Sequence, residues 1–143
     1  MATNALRILL SFLGTAAVAI ATSIILFGVS GTGGFFESLY NALSSNPAPL
    51  TGRYSPAAES ELRFYAAFWL AYGVLALIAA QEIKTRAHWV PWIALVFFIG
   101  GCGRLISYFV DGAPHPFFVL LMIIELALPF LMAWFWLLAR KTD

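Results

Sequence analysis

Apolar positions along the chain gather into four long runs, separated by shorter stretches that hold most of the charges, glycines and prolines. The hydrocarbon core of a bilayer is roughly 30 Å thick, so a helix rising 1.5 Å per residue needs about 20 apolar residues to cross it. Residues 8–29 hold no charge in 22 positions, and residues 64–80 hold none in 17. Ser55-Pro56 offers an N-cap followed by proline at the first helical position, with Glu59 and Glu61 near the positive end of the dipole, so the second helix starts early and projects beyond the membrane. Residues 89–110 and 117–139 are long enough, and each contains one charge, Arg104 and Glu125 respectively. The pattern predicts an all-α, integral membrane four-helix bundle forming a single domain. Its helices are expected at about 7–29, 56–80, 89–110 and 117–139, with an outer loop at 30–55.

That loop is the only long connection, and it is not uniform. Phe35, Phe36, Leu39, Tyr40 and Leu43 recur at helical spacing with Glu37 and Asn41 opposite, which predicts a short amphipathic helix over 34–43 on the outer membrane surface. Asn46-Pro47-Ala48-Pro49 ends it, and residues 51–55 read as a polar turn region. Such a loop either covers the helix ends or forms a lid over an outward-facing cavity. A cleaved signal peptide is the competing reading of the first run, because Arg7 precedes it and Ala19-x-Ala21 resembles a cleavage site. Ile24, Ile25, Leu26 and Phe27 carry the apolar run past that site, which suits a retained span better.

Composition agrees with a bilayer solvent: 62% of residues are hydrophobic and 10% charged, against roughly 25% charged in soluble domains. The net charge of +1 supplies no basic face for nucleic acid. The one cysteine, Cys102, allows no internal disulfide and lacks the paired spacing of a zinc site. Charge distribution is more informative than net charge. Arg7, Lys84, Arg86, Arg140 and Lys141 fall on one side of the predicted helices, and only Arg53 and Arg63 on the other, so both termini are expected in the cytoplasm and the 30–55 loop outside. Trp89, Trp92, Trp134 and Trp136 fall at the inner helix ends and Tyr108 at an outer end, as an interfacial aromatic belt requires.

The two charges inside the runs are the candidate site. Arg104 lies six residues before the outer end of its run, and Glu125 eight residues past the outer start of the next. At 1.5 Å per residue these are depths of roughly 9 and 12 Å. The short 111–116 connection makes the two helices antiparallel neighbours, so a salt bridge is expected. A lone charge at mid-membrane costs at least about 2.5–3.5 kcal/mol, which favours pairing inside the bundle. Gly100, Gly101 and Gly103 precede Arg104 and allow a neighbouring backbone or ligand to approach. Pro129, four residues after Glu125, removes the hydrogen bond to the carbonyl of 125 and bends the helix, leaving an acceptor that Arg104 has donors enough to share with the carboxylate. Tyr65, Trp69 and Tyr72 form a stripe at spacings of four and three, read either as core packing or, with Tyr108, as the wall of a ligand pocket beside the pair. Glu59 and Arg63 read as a local surface pair, His88 as interfacial and His115 as a turn residue.

Glu61-Leu62-Arg63-Phe64-Tyr65 with Tyr72-Gly73, then Gly101-Cys102-Gly103-Arg104-Leu105, Asp111-Gly112-Ala113-Pro114, and Glu125 with Pro129 together resemble a family of small bacterial membrane proteins catalogued as a domain of unknown function. The resemblance covers residues 53–138. It implies four helices in a bacterial inner membrane and supplies no activity.

Three functions compete. The favoured one is a non-enzymatic bundle that binds membrane lipids or another hydrophobic ligand in its outer half, or serves as a subunit of a larger membrane complex. The second is an enzyme using Glu125 for proton transfer on a lipid-like substrate, by analogy with four-helix sterol isomerases. A tight Arg104 partner would oppose it by holding the carboxylate ionised. The third is a small proton-coupled transporter, although small multidrug transporters place their buried glutamate on the first helix and this first run has none. No cofactor fingerprint, nucleophile elbow or metal-ligand constellation is present in the sequence.

Overall fold

The structure, a computed structural model, describes residues 1–140. Lys141, counted above among the basic residues of one side, lies outside the described residues. Helix α1 (Ala2–Leu43) is followed by α2 (Pro56–Gln81), a short α3 (Ile83–Arg86) that leads through one 3-10 turn (Ala87–Trp89) into α4 (Val90–Val110), and α5 (Pro116–Ala139). Among the described residues, four helices are long and apolar enough to cross a membrane, and no strand is formed.

The largest departure from expectation lies in α1. A loop was expected from residue 30, but the helix is broken only at Gly28, whose φ of 76° and ψ of 168° few residues other than glycine adopt. A membrane-length arm, 2–27, thus turns directly into a second arm, 29–43, called the outer arm for its place at the end of the bundle away from the N-terminus. Periodicity could not anticipate this, because Ser30-Gly31-Thr32-Gly33-Gly34 has loop composition and is made helical by partners on another element.

The outer arm also presents a different face from the one expected. Glu37 and Asn41, assigned to its polar outer side, face inward, and Glu37 is only 1% exposed. Phe35, Leu39 and Leu43 are exposed instead. The reason is the returning segment 44–55, which lies against the polar side and supplies the partners. The Thr51 amide donates to Glu37 Oε2 at 2.8 Å, and the Thr51 hydroxyl donates to Glu37 Oε1. Asn41 makes a pair of bonds to Ala48, donating to its carbonyl at 2.7 Å and accepting from its amide at 3.0 Å.

Ser55 caps α2 by accepting the Ala58 amide at 3.2 Å, and Pro56 occupies the first turn. The closest helix pairing is α1 with α2, then α4 with α5, with α1 against α5 joining the pairs. Two glycines permit the first crossing: a Cβ on Gly14 would meet the Gly73 carbonyl at 2.8 Å, and one on Gly73 would meet the Gly14 carbonyl at 2.9 Å. Leu6, Ile83, Val90 and Met132 pack at the end of the bundle that holds the N-terminus and the α2–α4 connection. At the same end, Trp136 Nε1 donates to the Ala87 carbonyl at 2.8 Å, and Arg86 and Arg140 stack over Trp89 and Trp136 at 4.6 and 4.7 Å. The helix exteriors are apolar, with Phe68 on α2, Phe109 on α4 and Phe130 on α5 each more than half exposed. Surfaces of this kind match hydrocarbon rather than water.

Candidate functional site

Arg104 comes from α4 and Glu125 from α5, with guanidinium Nε donating to carboxylate Oε2 at 2.7 Å. Gly101 makes their approach possible, since a Cβ there would stand 3.0 Å from the Glu125 carbonyl carbon and from the Leu126 amide nitrogen. Gly100 faces the pair more loosely, with a Cβ position 4.0 Å from Glu125 Oε2, and Gly103 faces open space. Pro129 is buried within α5. The pair is unequal in exposure. The Glu125 side chain is 9% exposed and the Arg104 side chain 40%.

Arg104 is exposed because it lines a cavity of about 400 Å³ between the two arms of α1, Leu62 of α2, Tyr54 just before α2, and the halves of α4 and α5 nearest the 111–116 turn. Ile20 and Ile24 of the inner arm, Phe36 of the outer arm, and Phe118 and Leu121 of α5 supply apolar walls. The guanidinium carbon lies 6.0 Å from the centre of the Phe118 ring, within reach of a cation–π interaction. A volume of roughly 300–1,000 Å³ with apolar walls and few polar groups is typical of small-molecule sites.

The outer arm forms the roof, held at both ends. At its start, the Glu59 carboxylate accepts the amides of Val29 and Ser30 at 2.9 and 2.8 Å, which supplies a negative charge to a helix N-terminus. Arg63 serves the other side of the break, donating to the carbonyls of Ile25 and Leu26 at 2.5 and 3.5 Å where the inner arm ends. Glu59 and Arg63 therefore clasp the Gly28 bend rather than simply pairing with each other along α2. At the far end, Phe36 stacks on Phe117 at 5.3 Å and Tyr40 meets the His115 ring edge-on at 5.6 Å. His115 is more than a turn residue. Its Nδ1 accepts the Phe117 amide at 3.2 Å and caps α5, which leaves Nε2 to donate to Asn41 Oδ1 at 3.2 Å.

Of the two readings of the α2 stripe, Trp69 and Tyr72 follow core packing. Trp69 and Tyr72 stack on each other and on Phe97 of α4, and the buried Tyr72 hydroxyl donates to the Ile93 carbonyl at 3.0 Å. Tyr65 is 60% exposed on the outside of α2 beside Phe64, and Tyr108 stands edge-on to Phe109. None of these four lines the cavity, because helical spacing sets which residues share a face of α2 but not which neighbour that face meets. Phe36, Phe117 and Phe118 were missed as lining residues, since their role depends on the outer arm folding over α5. The chemistry available is one arginine fork in an apolar chamber, backed by one carboxylate. Among the described residues, no three His, Cys, Asp or Glu side chains gather where they would hold a metal ion.

A four-helix, multi-pass membrane protein with a charged pair set under a helical roof is the class these features define. The chain belongs to the family described as Domain of unknown function (DUF4345), which matches residues 5–137. No curated protein and no solved structure matches it.

Proposed function

We propose that this protein binds a lipid or lipid-like amphiphile in the cavity beneath the outer arm of α1, in a bacterial inner membrane with both termini cytoplasmic. The observation that carries the reading is the cavity itself, about 400 Å³ with apolar walls and Arg104 as its charged lining residue. The orientation rests on the bias of basic residues: Arg7, Lys84, Arg86 and Arg140 belong to the end that holds the N-terminus, whereas Arg53 and Arg63 belong to the end that holds the roof. Membrane lipids are the natural source of an occupant, because a chamber at this depth is in reach of acyl chains.

Proton-transfer catalysis is less well supported, since Arg104 rather than Glu125 lines the cavity and the carboxylate is engaged behind it. The binding reading is tested by filling the space. Leu121→Trp should leave the helices assembled and remove whatever lipid co-purifies with the wild type, as read by native mass spectrometry in a mild detergent. Equal retention of the same lipid by a folded Leu121→Trp protein would refute it.

A further inference from the structure

Two observations about Arg104 specify more than an apolar occupant. Its guanidinium carries five N–H donors, and the hydrogen bond it makes among the described residues uses only Nε, toward Glu125. The two terminal nitrogens, with four donors between them, belong to a side chain that is 40% exposed and lines the cavity. Other polar groups nearby are already engaged. Ser107, one turn further along α4 and also a lining residue, donates its hydroxyl to Asp111 Oδ2 at 2.7 Å. Thr32 of the roof shares a hydrogen bond with Ser23 at 2.9 Å. Most of the free donors in the chamber are therefore concentrated on one planar fork, whose orientation Glu125 holds from behind, and the Tyr54 hydroxyl is a further lining donor.

We propose that the occupant is a single-chain amphiphile with an anionic oxygen head, a carboxylate or a phosphate, that takes its place on the terminal nitrogens of Arg104 while its chain lies along Ile20, Ile24 and Leu121. The inference rests on the binding reading above. A guanidinium fork offers parallel N–H groups to two oxygens of one head, and such charge-assisted pairs are shorter and stronger than neutral ones. Glu125 does not compete for that edge, because it occupies Nε. It also compensates the arginine charge when the chamber is empty, so the site needs no ligand to be tolerated in the membrane. The Phe118 ring, its centre 6.0 Å from the guanidinium carbon, supplies an aromatic wall beside the fork.

The test compares palmitate, palmitoyl lysophosphatidate and monopalmitin, titrated into the full-length protein in detergent and read by tryptophan fluorescence and native mass spectrometry. At least one of the two anionic compounds should bind at least about tenfold more tightly than monopalmitin, and which one does so identifies the head. In Arg104→Leu with Glu125→Leu the preference should vanish while monopalmitin still binds. Arg104→Gln, in which Glu125 can take up a proton and keep a hydrogen bond, should show the same loss should the double variant fail to fold. Equal binding of all three compounds by the wild type would overturn the assignment of the head and leave cavity binding standing. Binding of none would overturn both. A preference that survives in the folded variants would remove Arg104 from the site.

Discussion

Gly73→Ala is the sharpest probe of how the bundle closes. A Cβ at that position would lie 2.9 Å from the Gly14 carbonyl oxygen, from the Val18 amide nitrogen and from the Val18 Cγ2. Two of these atoms are backbone, so no rotamer change relieves the contact. Restoring an ordinary separation requires the α1 and α2 axes to part by about half an ångström, which loosens the many contacts along the closest helix pair of the fold. Overpacking of this kind typically destabilises by about 1–3 kcal/mol. Gly103→Ala is the matched control. It lies in a membrane-spanning helix with nothing within 4 Å of its added Cβ, and should change stability by no more than about 0.5 kcal/mol. Unfolding both in mixed micelles with increasing sodium dodecyl sulfate, followed by fluorescence of the five tryptophans, compares assembled helices with separated ones, so differences in intrinsic helix propensity are muted. Gly14→Ala should behave like Gly73→Ala, since its Cβ would stand 2.8 Å from the Gly73 carbonyl. A Gly73→Ala protein as stable as Gly103→Ala would refute the close crossing.

At the bend, Gly28→Ala should destabilise by about 1–3 kcal/mol from backbone strain alone, and further because its Cβ would displace Glu59 and meet Arg63 Nη2 at 2.8 Å. Gly52→Ala, with φ of 84° but open space around it, should show the strain alone, and hydrogen exchange should rise across 29–43 in the first variant only. For the charged pair, Glu125→Leu strands an arginine that cannot be neutralised, whereas Arg104→Leu strands a carboxylate that can take up a proton. Glu125→Leu should therefore be the less stable, by about 1–3 kcal/mol relative to wild type, and the double replacement should recover most of that loss; Arg104→Leu being the less stable on unfolding in the same micelles would contradict the argument. Reporter fusions check the orientation: a fusion at Thr51 should show periplasmic activity and one following Arg140 cytoplasmic activity, and the reverse pattern would overturn it.

The number of spans, their approximate limits and the Arg104–Glu125 pair were legible without coordinates, because each follows from a rule local in sequence or from a large energetic penalty. A bilayer sets the length of an apolar run. A charge within it demands a partner, and the short 111–116 turn leaves the adjacent helix as the economical source of one. The Ser55 cap and Pro56 start were visible for the same reason, being local stereochemistry. What only the tertiary structure decided is everything that depends on which face meets which neighbour. Composition read residues 30–33 as loop, yet Glu59, about thirty positions away, caps them into helix. Amphipathicity placed Glu37 outside, yet the returning Thr51 draws it in. The same limit applies to the aromatic stripe of α2, which periodicity defined: contact with α4 made Trp69 and Tyr72 part of the core and left Tyr65 exposed. An outward-facing cavity under the 30–55 segment was one of two expectations, but its lining was not legible, because it is bounded by residues from every long helix and which of them meet across empty space has no signature along a single chain.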